Sequence, residues 1–104
     1  MAEETVNGLV VRHLRELRGV LDQSGFETTL DNSHGASPYL RATNRHAPVM
    51  SETIRCEHHI VDGHAYWFFY SWGQPICPAA DKALAAREIS RVIGNRASQS
   101  WADR

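Results

Sequence analysis

Four side chains that commonly bind zinc lie close together near the middle of the sequence: Cys56, His58, His59 and His64. Cys56 and His58 are two residues apart, so both project from the same face of a β-strand. A structural zinc site needs four ligands in a closed set, and the sequence has no Cys-x-x-Cys pair to complete one. We therefore predict no metal and no other cofactor. Cys56, His58 and His64 stay only weak candidate ligands, because hairpin-end histidines in solvent are the commoner arrangement.

The residues that could perform catalysis are equally sparse. Cys56 with a histidine nearby resembles a thiol nucleophile, but a strand cysteine that faces a core is usually inert. No serine sits in a Gly-x-Ser-x-Gly elbow, and no two carboxylates have a spacing that suits acid–base work. The loop 31–38 holds a glycine but lacks the spacing of a phosphate-binding loop. We predict that the protein is not an enzyme.

Length and composition limit the class of protein further. The 104 residues suffice for one domain, which we expect over residues 1–94, with a polar, mobile tail over 95–104. Hydrophobic residues make up 42% of the chain and charged residues 22%, with a net charge of -1. That charge argues against a nucleic-acid partner, and no apolar run is long enough for a membrane span. The acidic Met-Ala-Glu-Glu start lacks a signal-peptide pattern, so we expect a cytoplasmic location.

The elements that must position these residues follow from periodicity. From Thr5 to Ser24 the apolar residues recur with helical spacing, and a second, Ala-rich helix is predicted from Ala79 to Ile93. Between them, alternating patterns and turn residues predict four strands, at 26–30, 39–43, 51–59 and 66–76. Short connections favour an antiparallel meander with both helices on one face. The predicted fold is an α+β two-layer sandwich in the order α-β-β-β-β-α.

The fourth strand contains two of the three Trp, two of the three Phe and two of the three Tyr. Asp62-Gly63 before it favours a two-residue hairpin turn, which would pair Glu57 with Phe68. In that register one face carries Ile54, Cys56, His58, Trp67 and Phe69. The opposite face carries Thr53, Arg55, Glu57, Tyr66, Phe68, Tyr70 and Trp72. A change of one residue in the loop would exchange the aromatic sets.

Helices on the first of these faces would leave the second face as an exposed aromatic surface. Such surfaces mark partner or ligand contacts, and Tyr, Trp and Arg are common interface residues. The predicted contact residues are Arg55, Tyr66, Phe68, Tyr70 and Trp72. Three alternatives remain open for this surface: a homodimer or protein partner, a small ligand, or internal cover by loops or by the Trp101 tail.

The strand and its surroundings also carry a family resemblance. Thr53-Ile54-Arg55-Cys56 and the run Trp67 to Ile76, with the Ala-rich helix after them, resemble small uncharacterised proteins of actinomycetes. The resemblance covers roughly the second half of the chain. It implies a compact cytoplasmic accessory protein and assigns no catalytic residue.

The sequence thus predicts a non-enzymatic interaction or regulatory accessory protein. We expect it to dimerise, or to bind a protein partner, through the aromatic sheet face. The alternative is a small-ligand-binding domain that uses the same face as a pocket wall.

Overall fold

The structure, a computed structural model, describes residues 6–32, 37–63 and 65–94. Its class is α+β, as predicted, with two helices and one antiparallel sheet. The elements, in chain order, are α1 (Val6–Gln23), β1 (Phe26–Asp31), β2 (Tyr39–Asn44), β3 (Ser51–His59), β4 (Ala65–Tyr70), β5 (Pro75–Pro78) and α2 (Lys82–Ile89).

Helix α1 forms because its apolar residues fall on one stripe, and that stripe is buried. Leu14, Leu17 and Leu21 are fully buried in the core. The helix ends at Gln23 and is followed by Gly25, whose φ of 95° lies in the left-handed region that favours glycine. The Gly25 N–H donates to the Asp22 carbonyl at 3.2 Å, which satisfies one of the free carbonyls of the last turn. The predicted first helix is confirmed over the described residues.

The sheet has five strands in the order β1-β2-β3-β4-β5, so the prediction of four strands is wrong. The aromatic stretch, predicted as one strand, turns at Ser71–Gly73 and returns as β5. The Tyr70 N–H donates to the Gln74 carbonyl at 2.9 Å, and Gly73 adopts a φ of 95° in the turn. Because β5 lies at the sheet edge, Pro75 and Pro78 are tolerated there despite having no N–H for a further strand.

The predicted register of the β3–β4 hairpin is wrong by one residue. Cys56 pairs with Phe68, and Glu57 pairs with Trp67. The loop contains five residues, from Ile60 to position 64, in place of the predicted two, and its first three form a 3₁₀ turn. Every side chain of β4 therefore lies on the opposite face from the one predicted, because side chains alternate along a strand.

The core lies between the two helices and one face of the sheet, here called the inner face. Its strand residues include Ile54, Cys56, Phe68 and Tyr70, packed in one cluster with residues of α1 and α2. The Tyr70 hydroxyl donates to the Glu88 carbonyl at 3.4 Å and so joins β4 to α2.

Helix α2 is shorter than the predicted segment from Ala79 to Ile93. It is capped by Asp81, whose carboxylate accepts the Leu84 N–H at 3.1 Å. After Ile89 the chain widens into a π turn over Ser90–Gly94. The Asn44 side-chain amide donates to the carbonyls of Ile93 and Gly94 at 2.8 and 2.7 Å, which ties this turn to β2. The predicted tail over 95–104, with Trp101, lies outside the described residues.

Two adjacent phenylalanines on opposite faces give a direct test of this register. Phe68 is fully buried, so Phe68→Ala should lower the free energy of unfolding by about 3–5 kcal/mol. Phe69 lies on the other face and is only half-buried, so Phe69→Ala should cost about 1 kcal/mol. Urea unfolding followed by circular dichroism measures both. Equal losses, or the reverse order, would contradict the register.

Candidate functional site

The face of the sheet opposite the helices, here called the open face, carries a compact aromatic group. Strands β3 and β4 position it: Arg55 pairs with Phe69, and Glu57 pairs with Trp67. The His59 ring meets the Trp67 ring edge-on, with centroids 4.6 Å apart, and lies 5.5 Å from the Phe69 ring. Both Trp67 and Phe69 are half-buried by these neighbours and are not covered by any described helix.

Polar side chains surround this aromatic group. The Tyr39 hydroxyl donates to an Asp31 carboxylate oxygen at 3.0 Å, and that hydrogen bond raises the pKa of Tyr39 above its usual value. Arg41 donates to the Ser51 hydroxyl at 2.7 Å. The alternation of β1, β2 and β3 places charges of both signs on the open face: Glu27, Asp31, Arg41, Arg55 and Glu57. An apolar centre with a mixed polar rim is typical of protein contact surfaces.

The predicted contact residues are divided by the structure. Arg55 lies on the open face, as expected. Tyr66 packs against the core, while Phe68 and Tyr70 are 0% and 4% exposed. Their predicted place on the open face is wrong, because the five-residue loop shifts the register. The sequence interpretation accordingly missed Trp67, Phe69 and His59.

The fifth predicted contact residue, Trp72, lies in the β4–β5 turn. Its ring stacks on Tyr70 with centroids 4.6 Å apart, and its indole N–H donates to the Gln74 side-chain oxygen at 3.1 Å. It is 56% exposed. Because Tyr70 faces the core, Trp72 lies at the helical side of the sheet, away from Trp67 and Phe69.

A small cavity opens beside the part of β3 that extends beyond β2. It has a volume of about 240 Å³, and its lining includes Val10, Ser37, Arg55, Cys56, His58 and Tyr66. The structure therefore brings together two predicted contact residues, Arg55 and Tyr66, at this cavity. Two of the weak candidate metal ligands, Cys56 and His58, also line this cavity. No local sequence signal predicts the cavity, because its walls come from distant segments.

Next to the cavity, a polar cluster joins the two helices. The Lys82 ammonium lies 2.7 Å from a Glu16 carboxylate oxygen and 3.1 Å from His13 Nδ1. The hydrogen bond from Lys82 lowers the pKa of Glu16. The Tyr66 ring lies between two histidine rings, 5.6 Å from His13 and 4.3 Å from His58. These contacts connect α1, α2 and β4 beside the cavity.

The metal and thiol candidates gain no support from this geometry. Among the described residues, no group of three or more His, Cys, Asp or Glu side chains is placed to hold a metal ion. His64 lies outside the described residues. Burial raises the pKa of Cys56 to about 12, so its thiol stays protonated at neutral pH and is a poor nucleophile. Cys56 and Cys77 are both free, with Phe68 paired to each of them.

Comparisons with known proteins give no relative: no protein-family model, curated protein or solved structure matches the chain. The resemblance to small actinomycete proteins stays a prediction. Within the described part of the chain, no helix combines the length and apolar character that crossing a membrane requires.

The buried thiols and Tyr70 predict a loss of stability in alkali. Burial raises the pKa of Cys77 to about 11 and that of Tyr70 to about 12, beside the value of about 12 for Cys56. Between about pH 9 and 12 the folded chain therefore holds protons that the unfolded chain releases. The free energy of unfolding should be unaffected by these groups below pH 9 and should fall as the pH rises above it.

Urea unfolding between pH 7.5 and 10.5 measures this loss, and Cys56→Ala is the informative variant. The variant should be less stable at neutral pH, because Cys56 is buried, but its stability should fall less steeply above pH 9. An identical slope in both proteins would contradict the assignment to Cys56.

Proposed function

We propose that this protein is a non-enzymatic interaction protein that forms a homodimer through its open face. The observation that carries the proposal is the position of Trp67 and Phe69: two large aromatic side chains on the interior strand β4, on the sheet face that no described helix covers. Aromatic clusters of this kind supply much of the affinity in protein contacts. A cytoplasmic accessory role is part of the same proposal.

The charges on the open face favour a second copy as the partner. Arg55 and Glu57 lie two residues apart on β3 and flank the aromatic group. In a two-fold contact the same surface meets itself, so Arg55 of one copy can face Glu57 of the other, and the reverse pair forms as well. The remaining charges, Glu27, Asp31 and Arg41, are also of mixed sign, so the face does not repel itself strongly.

The aromatic centre supports contact in another way. The His59 ring restrains both Trp67 and Phe69 by edge contacts, so little side-chain freedom is lost when a partner covers them. Trp67 and Phe69 belong to the same strand and lie on the same side of it. They form a continuous apolar strip rather than isolated exposed residues.

A second candidate function is the binding of a small ligand. The cavity beside β3 supports it, because apolar Val10 and the ring of Tyr66 line it together with the polar groups of Arg55 and His58. A mostly apolar pocket with a few polar groups is the usual form of a small-molecule site. This candidate uses Tyr66, which packs on the inner face, whereas the dimer proposal uses Trp67 and Phe69 on the open face.

The dimer proposal predicts different effects at two tryptophans, the half-buried Trp67 and the exposed Trp72. Trp67→Glu places a charge within the aromatic group of the open face and should weaken the dimer by at least about 30-fold, as expected for a tryptophan that anchors an interface. Trp72→Glu is the matched control, because Trp72 is exposed away from that face. Sedimentation equilibrium of the untagged proteins measures the dissociation constants.

Both variants should keep the wild-type circular dichroism spectrum, since neither residue is part of the buried core. A wild-type protein that stays monomeric up to millimolar concentration would overturn the proposal. So would a dimer that Trp72→Glu weakens as much as Trp67→Glu.

The ligand candidate predicts a bound small molecule in native mass spectra of the purified protein. Ser37→Trp should fill the cavity from its exposed rim and remove that molecule without changing the subunit number. A spectrum free of small-molecule adducts, for protein purified without denaturation, would count against the ligand candidate and leave the dimer proposal unaffected.

A further inference from the structure

The two edges of the sheet are protected to different degrees. Strand β5, at one edge, has only four residues, begins and ends with proline, and pairs with β4 through a register shift at Phe68/Phe69. Short strands, prolines and bulges are the usual ways in which proteins prevent edge-to-edge pairing. Strand β1, at the other edge, has six residues, pairs regularly along its length with β2, and contains neither proline nor lysine.

The backbone groups at the free side of β1 follow from the hydrogen-bond pattern. The Asn44 N–H donates to the carbonyl of Met50, the residue just before β3, at 2.9 Å. The backbone N–H and C=O groups of Asn44 therefore point toward β3. Successive residues of an antiparallel strand direct their backbone N–H and C=O groups to opposite sides. The backbone groups of Thr43, Arg41 and Tyr39 therefore point toward β1. Their partners there are Glu27, Thr29 and Asp31. Phe26, Thr28 and Leu30 consequently direct their N–H and C=O groups outward.

Among the described residues, only part of this outward row has a hydrogen-bond partner. The Phe26 carbonyl accepts a hydrogen bond from the Arg45 guanidinium at 3.3 Å. Thr28 and Leu30 follow at the spacing that a further strand would need, and no described strand lies beyond β1. An extended partner strand would satisfy both residues.

We propose that the partner strand is β1 of a second copy, paired antiparallel around a two-fold axis at Thr28. In this register Phe26 faces Leu30 of the second copy, and Glu27 faces Thr29. The apolar pair lies on the inner face, where Phe26 is buried and Leu30 is half-buried. The pair formed by Glu27 and Thr29 of the second copy lies on the open face and brings no two like charges together.

The charges of β1 select this register over its neighbours. A two-fold axis at Glu27 would place the two Glu27 carboxylates opposite each other. An axis at Thr29 would place Glu27 opposite Asp31. Like charges in directly opposed positions destabilise a strand pair. Among the central positions of β1, only Thr28 avoids both conflicts.

The axis proposed here stands perpendicular to the sheet, so both copies keep their helices on the same side. The two five-stranded sheets would then continue into one another. This contact is separate from the open-face contact, since it uses backbone groups of β1 rather than the side chains of β4. The two proposals can therefore succeed or fail independently.

Opposite charges at Thr29 test the edge contact. Thr29 is exposed. In the dimer, Thr29 of each copy would face Glu27 of the other, so this pair would occur twice, once on each side of the axis. Thr29→Arg should tighten the dimer about three- to tenfold, and Thr29→Glu should weaken it by a similar factor. Within one chain Thr29 pairs with Arg41 but lies between Glu27 and Asp31 on the same face of β1, so the charges of the monomer act in opposite directions on either variant. The ranking is therefore taken from the dissociation constants and not from the unfolding stability.

The dissociation constants should be measured by sedimentation equilibrium in a Trp67→Glu background, in which the open-face contact is expected to be at least about 30-fold weaker. The edge contact is supported if the protein with Thr29→Arg forms the tightest dimer, the protein with the original Thr29 a weaker one, and the protein with Thr29→Glu the weakest. A purely monomeric background that Thr29→Arg does not restore to a dimer overturns it and leaves the open-face proposal standing. Equal dissociation constants for all three overturn it as well.

A backbone test complements the charge test. Thr28→Pro removes an outward N–H while sparing the hydrogen bonds between β1 and β2, and it should abolish the edge dimer. Amide exchange measured by NMR should show Thr28 and Leu30 protected at high protein concentration and exposed on dilution. Protection that does not change with concentration would overturn the proposal, because the chain would then cover its own edge.

Discussion

The burial of Phe68 at the centre of the core is the constraint on which the rest of the structure depends. Phe68 is fully buried between Cys56 on β3 and Cys77 on β5, under the helices. Once this ring points inward, the pleat sends Trp67 and Phe69 outward. The same choice directs Tyr66 toward His13 and His58, and Tyr70 toward the backbone of α2. One buried ring thereby determines which aromatic side chains a partner could reach.

Polar contacts between the helices, and between β2 and the turn after α2, stabilise this arrangement. Lys82 joins α1 to α2 through Glu16 and His13, and Asn44 binds the carbonyls that end the chain's last described turn. Buried polar groups without partners are costly, and none of the described side chains leaves a buried nitrogen or oxygen unsatisfied. The inner face is therefore well determined, and the proposed contacts use the open face and the β1 edge.

Sequence patterns predicted the elements with a clear period and failed where the period was absent. Helix α1 and strand β3 were found because their apolar residues recur at helical and alternating spacing, and Arg55 was accordingly placed on the open face. Every residue of β4 from Tyr66 to Tyr70 is aromatic, so no alternation of apolar and polar residues could reveal its register. The predicted two-residue loop therefore determined the assignment of side chains to faces, and that assignment was wrong. No separate strand was predicted for β5, because prolines are uncommon in strands, although an edge strand accepts them.

The continuous aromatic character of β4 has a consequence for how this fold could diversify. Because either side of β4 can fill a core, an insertion or deletion of one residue in the loop after β3 would exchange its inner and outer side chains while leaving β3 unchanged. Related chains could thus display tyrosines in place of tryptophan and phenylalanine without a single substitution in a strand. Loop length, a property that usually drifts freely between homologues, would here act as a determinant of binding specificity.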